Sequence, residues 1–452
     1  MLETIHFYHT NDLHSHFQHW PRIDDLLTSR KKWHQEEGDT SFAFDIGDHI
    51  DRSHIFTEGT LGKGNTQLLN KAQYDVVTIG NNEGITLPHD DLDTLYEDAH
   101  FDVVVGNLFD ENGNRPNWVK PYVVKQTSKG TKIGIIAVTA EFSSFYERLG
   151  WKVTSAFEAI QKSLEQLTQD VDILICLSHL GIHEDEKMAA QFPKIDVIFG
   201  AHTHHVLHDG KLVNNVLLAA AGKFGQFVGQ VTVDYDLITN EIKKKKAILY
   251  DANELPAVQH ELQKVSELER IGKDKMKTIE FYQKETLEKQ WFQESALSAY
   301  FGEAMVSYCD ADCALFNAGI FLDDFKSGDV SSLHVHQILP HPINPCVIEL
   351  TYVELRDLYH QSLNHEWPNL EIKGLGFRGS IMGKMIAYNM KIVDNELYIK
   401  NELVNPNKLI RLATLDMFTF GYFFPSLKEA NKTYFMPDFL RDVFIWYGKK
   451  QK

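Results

Sequence analysis

The chain has 452 residues and a formal net charge of −18, because 63 Asp and Glu residues outnumber 45 Lys and Arg residues. This charge argues against a nucleic-acid binder and against a protein that binds anionic membranes, since both need a cationic surface. The hydrophobic content of 43 % excludes a disordered chain, and the length predicts two or three domains. Histidine is unevenly distributed: 16 of the 22 histidines precede residue 210, and a metal site would explain that excess.

The N-terminal segment, MLETIHFYHTNDLH, has neither the basic nor the apolar region of a signal peptide. No apolar run approaches the roughly 18 residues of a membrane-spanning helix. The four cysteines are too few for a disulfide framework at this length. We therefore expect a soluble, cytoplasmic protein that has no membrane and no nucleic-acid polymer as a partner.

Short apolar runs alternate with amphipathic stretches in the first half of the chain. The strand-like runs, rich in Val and Ile, are IHFYH, FAFDI, YDVVTIG, FDVVVGN, KIGIIAVT, VDILICLSH, IDVIFG, VLLAAAG and FVGQVTVDY. Helix-like stretches at 155–168 and 183–192 lie between some of them. Continuous apolar strands are typical of sheets buried on both faces, so residues 1–252 are predicted to form an α/β sandwich domain.

The sequence pattern changes after this domain. Residues 253–290 are charged, helix-permissive and almost free of β-like runs, which predicts a linker helix. Residues 291–452 show a second, α+β pattern with the helix-like stretches SALSAYFGEAMVSY and YVELRDLYHQSL and the strand-like runs ALFN and CVIEL. His334 and His336 alternate in a stretch that we also expect to be a strand.

Polar residues follow five of the predicted strands at the point where each strand ends. The five clusters are Asn11-Asp12-Leu13-His14, Gly47-Asp48-His49, Gly80-Asn81-Asn82-Glu83, His179 and His202-Thr203-His204. Because ligands of α/β sheets bind outside the carboxyl ends of the strands, the five clusters are expected to converge on one crevice. One histidine at a strand end is usually structural, but five clusters in order favour a metal site. Asp and His together suit Zn, Mn, Fe or Ni rather than Ca.

The series D-x-H, G-D, G-N-x-E, H and H-T-H resembles the signature of the calcineurin-like metallophosphoesterases. The opening T-N-D-L-H and the size of the chain resemble the 5'-nucleotidase branch of that family. This resemblance implies a four-layer α/β-β/α sandwich that holds two divalent metal ions, followed by a smaller α+β C-terminal domain of the 5'-nucleotidase type. The ions would be Mn, Zn, Fe, Co or Ni.

The resemblance also implies which residues hold the ions. One ion would be held by Asp12, His14, Asp48 and His204. The second would be held by Asp48, Asn81, His179 and His202, so that Asp48 bridges the two ions. Two divalent ions would give an acidic protein a local positive centre at which an anionic phosphate ester can bind.

The sequence departs from the family at one catalytic position. The family usually has G-N-H-[DE], but Asn82 stands where that His is expected, and Ile85 stands where an acidic partner is expected. An amide can donate a hydrogen bond to a phosphoryl oxygen but cannot transfer a proton near neutral pH, which would cost about 10²–10⁴ in rate. Asn82, Asp48 and His49 are the predicted catalytic residues. His16 and His183 are further candidates to replace the missing histidine.

Six residues of the C-terminal domain are predicted to bind substrate. Asn317 and Gly319 match part of the N-x-G-G-x-R element of the family, and Arg378 lies in a Gly-rich loop where it could bind a phosphate or ribose oxygen. The aromatic residues are Phe418, Phe420 and Tyr422, which stand near the position of the family's base clamp. Stacking on a base would contribute about 1–3 kcal/mol per ring, whereas ordinary core packing is the alternative for each ring.

The main prediction is a dimetal phosphoesterase that hydrolyses nucleotides, most simply a nucleoside 5'-monophosphate to nucleoside and phosphate. A cyclic-nucleotide phosphodiesterase and a nucleotide-sugar pyrophosphatase are alternatives within the same class. A non-catalytic nucleotide-binding protein is an alternative of another class, suggested by Asn82. The sequence does not determine the base preference or the oligomeric state.

Overall fold

The computed structural model describes residues 1–167 and 171–451. The chain divides into two compact units, residues 1–272 and residues 273–452. The helix predicted at 155–168 covers Ala156–Leu167 in the structure, and Thr168 lies outside the described residues. Within the described residues, no helix is long and apolar enough to cross a membrane.

The first unit alternates strands and helices. The strands are β1 Leu2–Thr10, β2 Thr40–Asp45, β3 Val76–Val77, β4 Asp102–Val103, β5 Leu108–Asp110, β6 Tyr122–Gln126, β7 Lys132–Thr139, β8 Trp151–Val153, β9 Ile173–His179, β10 Val197–Gly200, β11 Lys211–Val213, β12 Val216–Ala219, β13 Phe227–Asp236 and β14 Glu241–Asp251. The helices are α1 Trp20–Glu37, α2 Ile55–Thr60, α3 Lys63–Lys71, α4 Asn81–Thr86, α5 His89–Asp93, α6 Ser143–Arg148, α7 Ala156–Leu167, α8 Ile182–Gln191 and α9 Glu261–Lys275.

Two six-stranded sheets form the centre of this unit. The first has the order β14-β13-β1-β2-β3-β4 and is parallel from β1 to β4. The second has the order β11-β12-β10-β9-β7-β6 and is parallel from β12 to β7. Strands β5 and β8 form a separate antiparallel pair.

The two sheets share an apolar core. Phe7 and Phe44 of the first sheet contact Phe199 of the second, with ring centroids 6.5 and 5.6 Å apart. Apolar residues of α7 and α8 pack with the other face of the second sheet, and α1 lies against β2 of the first sheet. The order of layers is therefore helix, sheet, sheet, helix, which confirms the predicted four-layer sandwich.

The segment 253–290 is only partly helical, so the prediction of a single linker helix was wrong in extent. Helix α9 ends at Lys275, and strand β15, Ile279–Gln283, follows. Apolar Ile279 and Phe281 alternate with polar neighbours, and Phe281 is buried. This period of two favours a strand, and β15 pairs with the segment Gly328–Ser331.

The second unit has the predicted mixed α and β composition. After β15, its strands are β16 Cys313–Asn317, β17 Gly328–Ser331, β18 Pro345–Leu350, β19 Met385–Tyr388, β20 Met390–Val393, β21 Glu396–Ile399, β22 Glu402–Leu403, β23 Ile410–Leu415 and β24 Lys432–Tyr434. Its helices are α10 Ala296–Tyr308, α11 Ser332–Ile338, α12 Tyr352–Ser362 and α13 Leu440–Lys450. The main sheet has the order β19-β16-β23-β18-β24.

His334 and His336 lie in helix α11 and not in the strand that their alternation predicts. The Ser331 side chain caps this helix by accepting a hydrogen bond from the backbone N–H of His334, at 3.4 Å. The cap therefore starts a helix where the spacing of two histidines alone suggests a strand.

Candidate metal centre

The five polar clusters do converge at the carboxyl ends of the strands in the first unit. The chain turns sharply there, and five residues of these clusters have positive φ angles although they are not glycine. They are Asp12 (50°), His14 (48°), Asp48 (51°), His202 (71°) and His204 (58°). Such conformations are disfavoured for residues with a Cβ and persist only where surrounding contacts hold them. Backbone hydrogen bonds supply that support, from Asp12 N to Gly47 O at 3.0 Å and from His14 N to Asp48 O at 2.8 Å.

Two glycines allow the loops to come this close. A Cβ at Gly47 would lie 2.3 Å from the backbone nitrogen of Gly80. A Cβ at Gly80 would lie 2.1 Å from Oδ1 of Asp48 and 2.5 Å from Cε1 of His179. Both distances are far below van der Waals contact, so the close packing of the predicted ligands depends on the missing side chains.

The first group of ligand atoms belongs to Asp12, His14 and His204, and its three atoms lie within 4.8 Å of one another. Nε2 of His14 lies 3.3 Å from Nε2 of His204. Oδ1 of Asp12 lies 3.8 Å from the His14 nitrogen and 3.5 Å from the His204 nitrogen. Asp48 is also close, with Oδ2 at 3.7 Å from Nε2 of His14.

The second group consists of Asp12, Asp48 and His179, all buried. Nε2 of His179 lies 3.5 Å from Oδ1 of Asp48 and 4.0 Å from Oδ1 of Asp12. Nδ1 of His179 is 2.7 Å from the carbonyl oxygen of Ile46, which leaves Nε2 without a hydrogen-bond partner among the described residues. Asp12 belongs to both groups, and Asp48 lies close to ligand atoms of both. The prediction named Asp48 alone as the bridging ligand, whereas the structure places two carboxylates between the groups.

Asn81 and His202 lie beside the second group. Oδ1 of Asn81 is 2.9 Å from Nδ1 of His202, and the rings of His202 and His179 have centroids 5.3 Å apart. The backbone N–H of His202 donates to the Asp12 carboxylate at 3.0 Å. The structure thus brings all seven predicted ligands into one site.

The protonation states of two imidazoles suit metal binding directly. Burial lowers the pKa of His202 and of His204 to about 4, so both rings are neutral near pH 7. Burial would also lower the pKa of His179, but the carboxylates of Asp48 and Asp12 raise it to about 10. Buried carboxylates that stabilise a protonated imidazole can equally stabilise a divalent cation in its place. The mixture of nitrogen and oxygen donors suits first-row transition metals.

Two supporting residues were not assigned a role from the sequence. Glu83 accepts hydrogen bonds from the backbone N–H groups of Asp48, Ile50 and Gly80, at 2.9, 3.0 and 2.7 Å. Asn11 donates to Oδ2 of Asp12 at 2.8 Å and also to the carbonyl of Gly222. The signal was present in the sequence, because both residues stand inside the motifs that carry the predicted ligands.

Asn82 contacts a predicted ligand. Its backbone N–H donates to Oδ1 of Asp48 at 2.7 Å, and its side-chain Nδ2 lies 2.6 Å from Nδ1 of His14. Oδ2 of Asp51, another residue missed in the sequence, lies 3.9 Å from the same ring nitrogen. Asn82 therefore lies on the edge of the His14 ring that faces away from the ligand group.

His49 lies outside the site, contrary to its predicted catalytic role. Its ring packs edge-on against Trp20, with centroids 5.1 Å apart, and its Nδ1 lies 3.2 Å from the Asn65 amide. Burial lowers the pKa of His49 to about 3. The reason is geometric: the turn after Asp48 directs the next side chain into the protein and not toward the ligands.

The two other candidate histidines differ in their placement. His16 stacks on Phe224 with ring centroids 3.8 Å apart, and Phe224 in turn meets His14 edge-on at 5.8 Å. His183 lies on the exposed surface of α8. His16 is therefore the candidate whose ring lies one aromatic contact away from a predicted ligand.

A cavity of about 320 Å³ adjoins the site in the first unit. It is lined by Ala140, Glu141, Phe142, Phe157, Leu180, Glu184 and His202. Because His202 is a predicted ligand, this cavity offers space next to the second ligand group.

In the second unit, Asn317 and Gly319 support the backbone. Asn317 is fully buried, and its side-chain amide donates to the carbonyl of Met382 at 2.7 Å. A Cβ at Gly319 would lie 2.0 Å from the carbonyl oxygen of Ile381, so the position has no room for a side chain. Arg378 is half-buried, and its side chain donates to the carbonyl of Phe377 at 3.1 Å.

The three predicted clamp aromatics divide between core and surface. Phe418 is 0 % exposed and packs edge-on against Phe423 and Phe424, so it is a core residue and not a substrate contact. Phe420 is 41 % exposed and Tyr422 is 73 % exposed. Phe418 and Phe420 lie in a short 3-10 turn, and Tyr422 lies in the loop after it. The backbone geometry of this turn decides which of the rings point into the core.

The chain is similar to known proteins in sequence and in fold. Residues 5–206 match the family described as calcineurin-like phosphoesterase. The chain is 42 % identical to the uncharacterized metallophosphoesterase YunD of Bacillus subtilis, over 99 % of both proteins. In fold it is similar to the 5'-nucleotidase precursor of Thermus thermophilus, with a TM-score of 0.60 and 20 % identity over 99 % of this chain and 97 % of that one.

The NAD nucleotidase of Haemophilus influenzae has a similar fold as well, with a TM-score of 0.63 and 14 % identity over 100 % of this chain and 97 % of that one. The family match covers the clusters that form the candidate metal centre, and the similarity in fold extends over both units. The chain belongs to the calcineurin-like metallophosphoesterase family and is a metal-dependent phosphoric ester hydrolase.

Proposed function

We propose that the protein hydrolyses nucleotides at a dimetal centre, most simply converting a nucleoside 5'-monophosphate to nucleoside and phosphate. The observation that carries this proposal is the pair of adjoining ligand groups that share Asp12, with Asp48 within reach of both. The nucleotide class is the first to test, because two solved proteins of similar fold are a 5'-nucleotidase precursor and a NAD nucleotidase.

Each residue of the site has a defined task in this proposal. Two divalent ions, when bound, would supply Lewis-acid stabilisation of the phosphoryl oxygens and would lower the pKa of a nearby water. Asp12, His14, Asp48, His179 and His204 hold the two positions, with Asn81 and His202 completing the second. Glu83 and Asn11 keep the loops in register through the hydrogen bonds described above.

The leaving oxygen needs a proton from a residue other than Asn82, since an amide does not transfer one near pH 7. We assign this task to His16, whose ring lies one aromatic contact from His14. His16→Gln should slow the hydrolysis of a nucleoside monophosphate by about 10²-fold or more but leave p-nitrophenyl phosphate little affected, because nitrophenolate leaves without protonation. Equal losses for both substrates would contradict this assignment.

Phe420 and Tyr422 are our candidates for contact with the base, because both rings have exposed surface. Tyr422→Ala should raise KM for nucleotides by about 10-fold, in line with about 1–3 kcal/mol per stacked base, and should leave KM for p-nitrophenyl phosphate unchanged. An unchanged KM for nucleotides would remove Tyr422 from the proposed site.

The decisive experiment is an assay of phosphate release by the protein purified with Mn²⁺ or Co²⁺. The panel should contain nucleoside monophosphates, cyclic nucleotides and nucleotide-sugars, and it should compare p-nitrophenyl phosphate with its bis ester to separate monoesterase from diesterase activity. Asp48→Asn should abolish turnover, whereas Asp329→Asn, in an exposed strand position, serves as the matched control. No turnover of any nucleotide by a protein that holds its metals would refute the proposed function.

His202→Ala tests whether the proposed activity depends on this site. If the parent hydrolyses nucleotides and His202→Ala abolishes turnover without unfolding the protein, the proposal stands. Unchanged turnover in His202→Ala would contradict it.

A further inference from the structure

A second set of metal-type ligands lies in the first unit, away from the candidate metal centre. His6 belongs to β1, His34 to the last turn of α1, and Asp39 precedes β2. One ligand atom from each of the three lies within 4.8 Å of the others. The candidate metal centre follows the carboxyl ends of β1 and β2, whereas Asp39 stands at the amino end of β2. The two sets therefore occupy opposite ends of the same sheet.

The hydrogen bonds around the two imidazole rings occupy one nitrogen of each ring and leave the other nitrogen available to ligate a metal. Nε2 of His34 lies 2.8 Å from the Tyr8 hydroxyl, and Nδ1 of His6 lies 3.0 Å from the Gln230 amide. The remaining nitrogen of His6, Nε2, is 3.7 Å from Oδ2 of Asp39. The outer partners thus fix each ring, as expected of histidines that ligate a metal through the other nitrogen.

The burial of the remaining nitrogen of His34 is a second observation that points to a bound cation. His34 is only 1 % exposed, and its Nδ1 has no hydrogen-bond partner among the described residues. A buried polar atom without a partner is costly and unusual in folded proteins. A cation between this nitrogen, His6 and Asp39 would satisfy it.

The charge state of the group is compatible with a cation. Burial lowers the pKa of His6, and burial together with the neighbouring His6 lowers the pKa of His34 to about 4, so both rings have a free lone pair near neutral pH. Lys129 lies 3.8 Å from Oδ1 of Asp39, which leaves Oδ2 on the side of His6. The two rings stack with centroids 3.8 Å apart, so joint ligation requires the His6 ring to tilt out of the stack.

We propose that His6, His34 and Asp39 bind one divalent transition-metal ion of the Zn²⁺ class at a site separate from the phosphoesterase centre. Two imidazole nitrogens and one carboxylate oxygen are a donor set that Zn²⁺, Co²⁺ and Ni²⁺ accept. The half-exposed Asp39 leaves a coordination position open to water. Such an ion would join the first strand, the end of the first helix and the start of the second strand, which is a structural role.

The test counts metal ions per chain. The protein is dialysed against buffered Zn²⁺, and its metal content is measured by mass spectrometry in the parent, Asp39→Asn, His34→Gln and the control His365→Ala, which changes an exposed histidine of the second unit. We expect Asp39→Asn and His34→Gln each to hold one equivalent fewer than the parent and the control. Asp39→Asn removes only a charge at a partly exposed position, so it keeps the test informative if His34→Gln does not fold.

The same experiment separates this site from the phosphoesterase centre. Asp12→Asn with Asp48→Asn should remove the catalytic ions and retain the ion at His34, and anomalous diffraction at the zinc edge should place that ion beside His6. The Asp39→Asn variant should keep its phosphatase activity. Equal metal content in Asp39→Asn and the parent, or anomalous density only at Asp12 and Asp48, would overturn the proposal.

Discussion

Asn82 stands where the family usually has a catalytic histidine, and its contact with His14 predicts a different task for it. A His14 ring that ligates a metal through Nε2 carries its proton on Nδ1, and that proton needs an acceptor. The Asn82 amide lies 2.6 Å from Nδ1, and a half turn of the amide presents its oxygen there without moving the side chain. We therefore expect Asn82 to orient His14 and not to act on the substrate.

The perturbation that tests this is Asn82→Ala. Loss of a residue that orients a metal-ligating histidine typically costs about 10–100-fold in metal affinity, equivalent to about 1.4–2.8 kcal/mol. We expect the upper half of this range, because the nearest substitute, Oδ2 of Asp51, is 3.9 Å from Nδ1 and too far to accept its proton directly. The bond from the Asn82 backbone to Asp48 survives the change, so the second ligand group should keep its affinity.

The assay is a titration of the metal-stripped protein with Zn²⁺ or Co²⁺ against a chromophoric chelator. Asn82→Ala should weaken one of the two affinities and leave the other unchanged. Asn82→Asp is the matched variant, since a carboxylate of the same shape accepts the Nδ1 proton and should retain parental affinity. The exposed Asn253→Ala is the negative control. If Asn82→Ala binds both ions as the parent does while kcat falls, the amide acts on the substrate and the reasoning is refuted.

Three further predictions concern packing and pH. Gly80→Ala should lower metal affinity by at least about 10-fold, in the same titration, because the new Cβ would displace Asp48, and parental affinity would show that the loop accommodates a side chain there. Phe418→Ala should destabilise the second unit by about 3–5 kcal/mol in urea unfolding, whereas Tyr422→Ala should change stability by less than about 0.5 kcal/mol, and similar losses would contradict their different burial. Burial lowers the pKa of His341 to about 3 from an ordinary 6.5. The neutral ring therefore contributes fully to the free energy of unfolding above pH 6.5, and this contribution is lost as the pH falls toward 3, because the unfolded chain binds the proton first. Between pH 7 and pH 5 the parent should lose about 2 kcal/mol more stability than His341→Gln in urea unfolding, and an identical change in the two proteins would assign the effect elsewhere.

The sequence was sufficient to predict the sandwich and the convergence of the ligands. Strands buried on both faces leave long apolar runs, and the residue after such a run marks the carboxyl end of a parallel strand. Asp12, Asp48 and His179 could be placed together from that rule alone. The rule works because the positions of these side chains follow from the order of strands in the sheets and not from details of packing.

The direction of a side chain inside a turn could not be predicted in the same way. His49 follows Asp48 directly, yet a single step along the turned backbone sends its ring to Trp20 and Asn65. Phe418 and Phe420 differ in the same manner, because the fold of the short turn selects which ring is buried. These outcomes depend on neighbours that are distant in sequence, which local patterns do not contain.

The histidine excess in the first half has more than one physical cause. His14, His179, His202 and His204 lie at the candidate metal centre, whereas His49 is a neutral core residue that burial keeps unprotonated. Neutral imidazole can fill both roles, because it is an uncharged aromatic ring that packs against other rings and also offers one lone pair. Composition therefore indicates that metal chemistry is present but does not say which rings perform it. The atoms near the second nitrogen distinguish a ligand from a packed ring. Nε2 of His179 lies 3.5 Å from a carboxylate oxygen of Asp48, whereas His49 belongs to none of the ligand groups among the described residues.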